Sequence, residues 1–142
     1  MLKERYVYDA TVIRVIDGDT VDTWIDLGLD VSVNIRFRLY GINAPEMRGP
    51  SSDRGKASKA RLEQMLPVGS KIVILTHKDK QEKYGRYLGE FFPASDIATI
   101  GEISINQQMV REGYAVEYMT DFINEARNSP PATLTTPADP VV

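Results

Sequence analysis

The chain has 142 residues, no cysteine and a formal net charge of −3, with 42% hydrophobic and 26% charged residues. This length suits one domain that buries roughly two-thirds of its unfolded surface, and the composition is ordinary for a globular protein. The missing cysteines exclude disulfides, thiolate metal sites and cysteine nucleophiles. No apolar run approaches the roughly 20 residues of a membrane span, so no membrane association is expected. The amino terminus lacks the apolar segment of a secretory signal, which favours an intracellular protein.

Apolar and polar residues alternate along the first 40 positions, which predicts three strands at residues 6–16, 20–27 and 31–39. The dipeptide Asp17-Gly18 is a strong hairpin signal between the first two strands. A turn around Gly28 joins the second strand to the third. The three strands should form a meander with one buried face.

A helix is predicted next, capped by Ser51 or Ser52 and ending near residue 66. Two further strands follow at residues 71–76 and 86–92, with a charged loop between them that holds the only histidine, His77. We expect that histidine to be an exposed loop residue, because it has no partner at metal-ligand spacing.

The last third of the chain predicts a short strand at 103–105 and a helix that Asn106 caps and Gly113 closes. From about residue 128 the chain is rich in proline and small polar residues, which predicts a disordered tail. We therefore expect one domain at 1–127 and a tail at 128–142.

Three meander strands, a helix and two more strands form the order of a five-stranded OB-type barrel, a β-barrel with helices in the α+β class. In this interpretation the first helix lies between strands three and four. The second, shorter helix lies near the carboxyl terminus.

The positive charge is concentrated in the middle of the chain. Residues 48–86 carry 10 Lys and Arg against 4 Asp and Glu, whereas residues 87–142 carry 2 against 8. The sequence pI of about 5.2 argues against tight general binding of nucleic acid. The basic middle is consistent with either a solvated face or a surface that faces a polyanion.

A strand-to-loop junction at residues 36–46 carries cations beside oxygen ligands. Arg36 and Arg38 lie on one face of the third strand, and Asn43 and Glu46 lie on the loop that follows. The acidic turn at residues 17–20 lies upstream and could complete the site. Guanidinium groups and a hard metal with oxygen ligands suit work on a phosphate.

Four linked motifs together resemble the staphylococcal nuclease (thermonuclease) family, over residues 6 to about 118. They read VIDGDTV at 15–21, FRLYGINAPE at 37–46, EKYGR at 82–86 and MVREGYA at 109–115. The resemblance implies an OB-type barrel that hydrolyses phosphodiesters in DNA and RNA with one Ca²⁺ and leaves 3′-phosphate ends. It leaves open the choice between DNA and RNA and between endonuclease and exonuclease action.

The resemblance also implies roles for individual residues. Asp19 matches a calcium-binding carboxylate, Asn43 stands where the family usually has a second metal-binding aspartate, and Ala44 matches a position whose backbone carbonyl binds the metal. Glu46 matches the glutamate that acts on the attacking water. Arg38 and Arg86 match the arginines that bind the scissile phosphate, and Tyr84 matches a tyrosine of the nucleotide pocket.

Two residues of this region have open interpretations. Asp17 either only shapes the turn or holds Asp19 in position without binding the metal itself. Arg36 matches no catalytic position, and a solvated or ion-paired arginine is expected there.

The amide at Asn43 is the main departure from the family pattern, because metal affinity in such sites follows the number of charged ligands. Three explanations compete: a weak nuclease or one with another carboxylate ligand, a binding module without efficient turnover, or an introduced substitution. The first function expected is a metal-dependent nuclease that acts as a monomer on single-stranded or flexible nucleic acid. The second is an OB module that binds nucleic acid or a nucleotide, and a protein-binding scaffold is a third.

Overall fold

The computed structural model describes residues 6–81, 86–94, 103–119 and 121. Five strands form a closed barrel in the order β1, β2, β3, β6, β5. Their bounds are β1 Val7–Asp17, β2 Thr20–Gly28, β3 Val31–Leu39, β5 Lys71–Gln81 and β6 Tyr87–Pro93. All neighbours are antiparallel except β3 and β6, which run parallel. The expected OB-type barrel with its meander and helices is confirmed.

The barrel interior is filled by the apolar face that the period-2 pattern predicted. The side chains with less than 2% exposure include Val12, Val21, Leu39, Ile74 and Phe91. Burial fades toward the β2–β3 turn, where Leu27 and Val31 are both 47% exposed. The hairpin end therefore projects beyond the core.

Helix α1 spans Ser52–Met65, after a single 3₁₀ turn at Gly49–Ser51, and lies between β3 and β5 in the chain. Its buried residues are Gly55, Ser58 and Leu62, with Leu66 just beyond its end also buried. The predicted helix is thus confirmed, although Ser51 makes no side-chain capping bond.

Strand β5 is longer than predicted, and this changes the environment of His77. The expectation of an exposed loop residue was wrong, because pairing of β5 with β6 resumes at Gln81 and keeps residue 77 within the strand. The imidazole stacks on the Tyr40 ring at a centroid distance of 3.4 Å, and its Nε2 lies 3.3 Å from Oε1 of Glu90.

Helix α2, Ile105–Arg111, begins two residues earlier than expected, and no strand forms at Ile103. The helix is capped by Ser104, which forms a reciprocal capping box with Gln107. The predicted cap at Asn106 was therefore wrong. Ser104 occupies the N-cap position, and the Asn106 side chain bonds backbone groups of the barrel instead.

The Asn106 amide joins α2 to two barrel segments. Its Nδ2 donates to the carbonyl oxygens of Tyr40 and Gly89 at 2.9 and 3.0 Å, and its Oδ1 accepts from the Phe91 N–H at 3.0 Å. The side chain is buried, so these backbone groups have no access to water. Asn106 thereby holds the end of β3, from which the loop at residues 41–46 departs.

Replacement of Asn106 by Ala should destabilise the fold strongly. Buried backbone groups lose their partner, so we expect a loss of about 3 kcal/mol in the free energy of unfolding. Urea denaturation measures it, with Gln64→Ala on the exposed face of α1 as the control, for which a change within about 0.5 kcal/mol is expected. Equal losses in the two variants would contradict the bridging role.

No helix in the described part of the chain is long and apolar enough to cross a membrane. The predicted tail at 128–142 lies outside the described residues.

Candidate active site

The β1–β2 turn is the point at which three parts of the molecule converge. A Cβ on Gly18 would lie 2.6 Å from the Ala44 Cβ and 2.7 Å from the Ser58 Cβ. The absence of a side chain at residue 18 therefore lets the turn, the loop after β3 and helix α1 come into contact. This close approach places Asp19 against the loop that carries Asn43.

Asp19 is a buried carboxylate held from several sides. Its Oδ2 accepts the Ala44 N–H at 2.9 Å, and its Oδ1 accepts the Thr20 hydroxyl at 3.2 Å. Burial raises the pKa of Asp19 to about 7, and Asp17 adds to the rise through a hydrogen bond and its charge. The Ala44 N–H and the charge of Arg38 oppose that rise. Such a strongly shifted carboxyl is typical of functional sites.

Arg86 is connected to Asp19 through one hydroxyl. Its Nη1 donates to Oγ1 of Thr20 at 2.9 Å, and the same hydroxyl donates to Asp19. Arg86 immediately precedes β6, and the parallel pairing of β6 with β3 places it at the same end of the barrel as Arg38.

Arg38 belongs to the same cluster, but its guanidinium is nearly sealed from solvent. The side chain is 6% exposed and forms an ion pair with Asp121, with Nη1 donating to Oδ2 at 2.6 Å. Its Nη2 donates to the Ile42 carbonyl at 2.6 Å, and its guanidinium carbon lies 4.4 Å from the centroid of the Tyr118 ring. Arg38 is thus fixed by three contacts.

The loop after β3 is held by a two-residue ladder. Strand β4, Ile42–Asn43, pairs with β7, Val116–Glu117, so that Asn43 lies opposite Val116. Asn43 and Glu46 are exposed, whereas Ala44 is buried. The structure therefore brings Ala44 against Asp19, with Asn43 next to it in the chain, and leaves the Glu46 side chain exposed.

Helix α1 sets the position of the Glu46 backbone. A Cβ on Gly55 would lie 2.2 Å from the Glu46 carbonyl oxygen and 2.9 Å from the Met47 Cα. A glycine inside a helix is weakly destabilising relative to alanine. In the folded protein it is the position that allows the helix to touch the loop.

The remaining candidate positions have simpler surroundings. Asp17 accepts the Asp19 N–H through Oδ1 at 3.1 Å, which is turn chemistry, while its charge acts on the Asp19 carboxyl. Arg36 binds Asp22 through Nε at 2.6 Å and Nη2 at 3.0 Å, which agrees with the expected ion pair and lowers the pKa of Asp22. Tyr84 lies outside the described residues.

Three residues of the cluster were missed from the sequence: Thr20, Tyr118 and Asp121. Thr20 lies within the acidic turn at residues 17–20, but no separate role was predicted for it. Tyr118 and Asp121 lie about 80 residues from Arg38 in the chain. Only the fold brings them together.

Replacement of Asp19 by Asn should stabilise the metal-free protein at neutral pH. The unfolded chain releases the Asp19 proton near pH 4, whereas the folded chain holds it to about pH 7, so folding stability falls as pH rises between these values and stays lowered above them. An asparagine resembles the protonated acid, so we expect a gain of about 2 kcal/mol at pH 8 that disappears at pH 3. Urea denaturation at both pH values in the presence of a chelator measures it. A constant difference across this range would contradict the burial of an ionisable group.

Taken together, the fold and the site define an OB-type barrel whose end carries two arginines around a buried carboxylate. Comparison with known proteins gives the family. The sequence model described as staphylococcal nuclease homologue matches residues 36–133, and the chain belongs to this family. The match begins at Arg36 and so includes both arginines, while Asp19 lies upstream of it.

Two curated relatives are similar over much of the chain. Protein ParB of Escherichia coli is 32% identical over 109 residues, which cover 75% of this chain and 55% of the relative. Uncharacterized protein MJ1439 of Methanocaldococcus jannaschii is 26% identical over 135 residues, which cover 81% of this chain and 61% of the relative. The chain thus spans little more than half the length of the relatives it matches.

Proposed function

We propose that this chain is a calcium-dependent nuclease that hydrolyses phosphodiester bonds in single-stranded or flexible DNA or RNA and leaves 3′-phosphate ends. The observation that carries the proposal is the buried Asp19 carboxyl, which lies beside two arginines and has a pKa raised to about 7. A carboxylate in that position costs stability. A site that binds a cation and a phosphate explains why it is present.

The residues around Asp19 fit a calcium ion of modest affinity. Ca²⁺ accepts carboxylate, amide and backbone carbonyl oxygens, which Asp19, Asn43 and Ala44 can supply. Among the described residues there is no group of three His, Cys, Asp or Glu side chains arranged for a metal. The donor set is therefore chemically suitable but poor in charge.

The bound ion would neutralise charge on the phosphate and orient the attacking water. The chain's own residues supply the rest. Glu46 takes a proton from the water as the water oxygen bonds to phosphorus. The bond from phosphorus to the 5′ oxygen breaks, and the leaving 5′ oxygen takes a proton from solvent. Arg38 and Arg86 hold the non-bridging oxygens as negative charge builds on them, because the planar guanidinium holds two oxygens and stays charged.

The test is cleavage of labelled single-stranded DNA and RNA with Ca²⁺ and then with chelator. We expect calcium-dependent products that carry 3′-phosphate ends. Identical product yields with Ca²⁺ and with chelator would contradict the metal requirement, and no product at high protein concentration would contradict the nuclease.

Replacement of Asn43 by Asp should raise calcium affinity. A second carboxylate adds one negative charge directly at the site, so we expect at least about a tenfold lower calcium concentration at half-maximal cleavage. Calcium titration of the cleavage rate measures it, with exposed Asn34→Asp on β3 as the matched control. If the two variants gave the same half-maximal calcium concentration, Asn43 would not belong to the metal site.

A second candidate is an OB module that binds nucleic acid with little turnover. The observation that favours it is the ion pair of Arg38 with Asp121, which occupies a guanidinium that catalysis would use. A fluorescent oligonucleotide titration beside the cleavage assay separates the two candidates. Binding without any calcium-dependent product favours the binding module.

A further inference from the structure

Asp121 lies in a small site made of two hydrogen-bond donors. Its Oδ2 accepts Nη1–H of Arg38 at 2.6 Å and the backbone N–H of Gly41 at 2.8 Å. A guanidinium and a main-chain amide that converge on one oxygen form the arrangement that proteins use for phosphate oxygens. Here an internal carboxylate satisfies both donors.

Both donors are held in place by contacts that do not involve Asp121. The Gly41 amide is oriented by a backbone with φ of +81°, a conformation that favours glycine. Arg38 is fixed by the Ile42 carbonyl and by the ring of Tyr118. The pair of donors should therefore keep its geometry when the carboxylate leaves.

A substrate phosphate cannot reach Arg38 in this arrangement, because the side chain is 6% exposed and its Nη1 is bonded to Asp121. We propose that Arg38 Nη1 and the Gly41 N–H together form a binding site for a phosphate oxygen of the nucleic acid. In this site Asp121 is the internal occupant that substrate must displace. The inference rests on the proposed function, since it takes Arg38 as a phosphate-binding residue.

The exchange of one anion for another keeps the buried guanidinium paired throughout. Removal of a partner from a buried charge is costly, and a phosphate that takes the place of the carboxylate avoids that cost. Two backbone hydrogen bonds among the described residues connect Asp121 to the loop after β3. The Tyr118 N–H donates to the Gly41 carbonyl at 2.7 Å, and the Asp121 N–H donates to the Tyr118 carbonyl at 3.2 Å.

The test is titration with inorganic phosphate, without calcium, followed through the Gly41 amide resonance in ¹H–¹⁵N NMR spectra. Asp121→Asn keeps the shape of the side chain but removes its charge, which leaves Arg38 in need of an anion. We expect phosphate to bind this variant at least about tenfold more tightly than the native chain. The control is Asp9→Asn, which removes the same charge from an exposed position on β1 and should leave phosphate affinity at the native value. Equal affinity in all three proteins would overturn the inference.

The native chain provides a second measurement that does not depend on the folding of a variant. Phosphate should shift both the Gly41 amide and the Asp121 carboxyl carbon resonances, and sodium chloride at the same ionic strength should shift neither. If Thr20 responds to phosphate while Gly41 and Asp121 do not, phosphate binds elsewhere and the inference is wrong. Calcium-dependent cleavage in that case would leave the proposed nuclease intact, whereas a response at Gly41 without any cleavage would overturn the nuclease alone.

Discussion

Arg86→Ala should lower kcat/KM for single-stranded DNA about 1000-fold under saturating calcium, with little change in stability. Negative charge builds on the phosphate as water attacks, and a fixed guanidinium at that place stabilises the transition state more than the ground state. Arg86 is the better arginine to test. Removal of Arg38 would also leave buried Asp121 without its partner, which would mix a folding defect with the catalytic one.

The matched control is Arg36→Ala, which removes a guanidinium from β3 that is paired with Asp22 on the outside of the barrel. We expect its kcat/KM to stay within about threefold of the native value, because surface ion pairs contribute little. Steady-state cleavage at several salt concentrations measures both variants. Equal losses in the two variants would show that the arginines attract nucleic acid only by their overall charge, and Arg86 would then lose its assigned role.

Gly55→Ala should lower kcat about 100-fold although the substituted residue touches no substrate. A Cβ at this position would lie 2.2 Å from the Glu46 carbonyl oxygen, far inside contact distance. Because the opposing atoms are backbone, the loop must move by close to 1 Å, and a misplacement of that size at a reacting group can cost about two orders of magnitude. The effect should fall on kcat, since Glu46 is proposed to act on the attacking water.

Gly69→Ala provides the contrasting control. Gly69 lies in the turn before β5 with φ of +84° and open space around its Cβ position. Alanine there is strained, so we expect a loss of about 1 kcal/mol in stability with unchanged turnover. Thermal unfolding and single-turnover cleavage measure the two quantities separately. Native turnover in folded Gly55→Ala would mean that the position of Glu46 does not limit the reaction.

The two predictions test different parts of the same site. Arg86 is connected to Asp19 through a single hydroxyl, and its contribution is electrostatic. Gly55 acts through the packing of a helix against a loop, and its contribution is positional. A nuclease needs both contributions. A module that only binds nucleic acid would lose affinity when Arg86 is substituted and would keep its affinity when Gly55 is substituted.

The sequence by itself determined the barrel. Successive strand side chains point to opposite faces, so alternation of apolar and polar residues along the first three strands predicts which side chains are buried. The sequence also indicated the acidic turn and the two arginines, Arg38 and Arg86, because these residues lie within short linked motifs. Local patterns decide such features, and the structure confirmed the barrel.

Only the tertiary structure decided how these groups are paired. His77 entered a strand because β5 and β6 continue to pair beyond the apolar run, and Asn106 became a bridge because α2 begins at Ile105 rather than after it. The partner of Arg38 is 83 residues away in sequence and reaches it through the pairing of β4 with β7. A side chain's neighbours across the molecule depend on strand register and barrel closure, which no local period encodes.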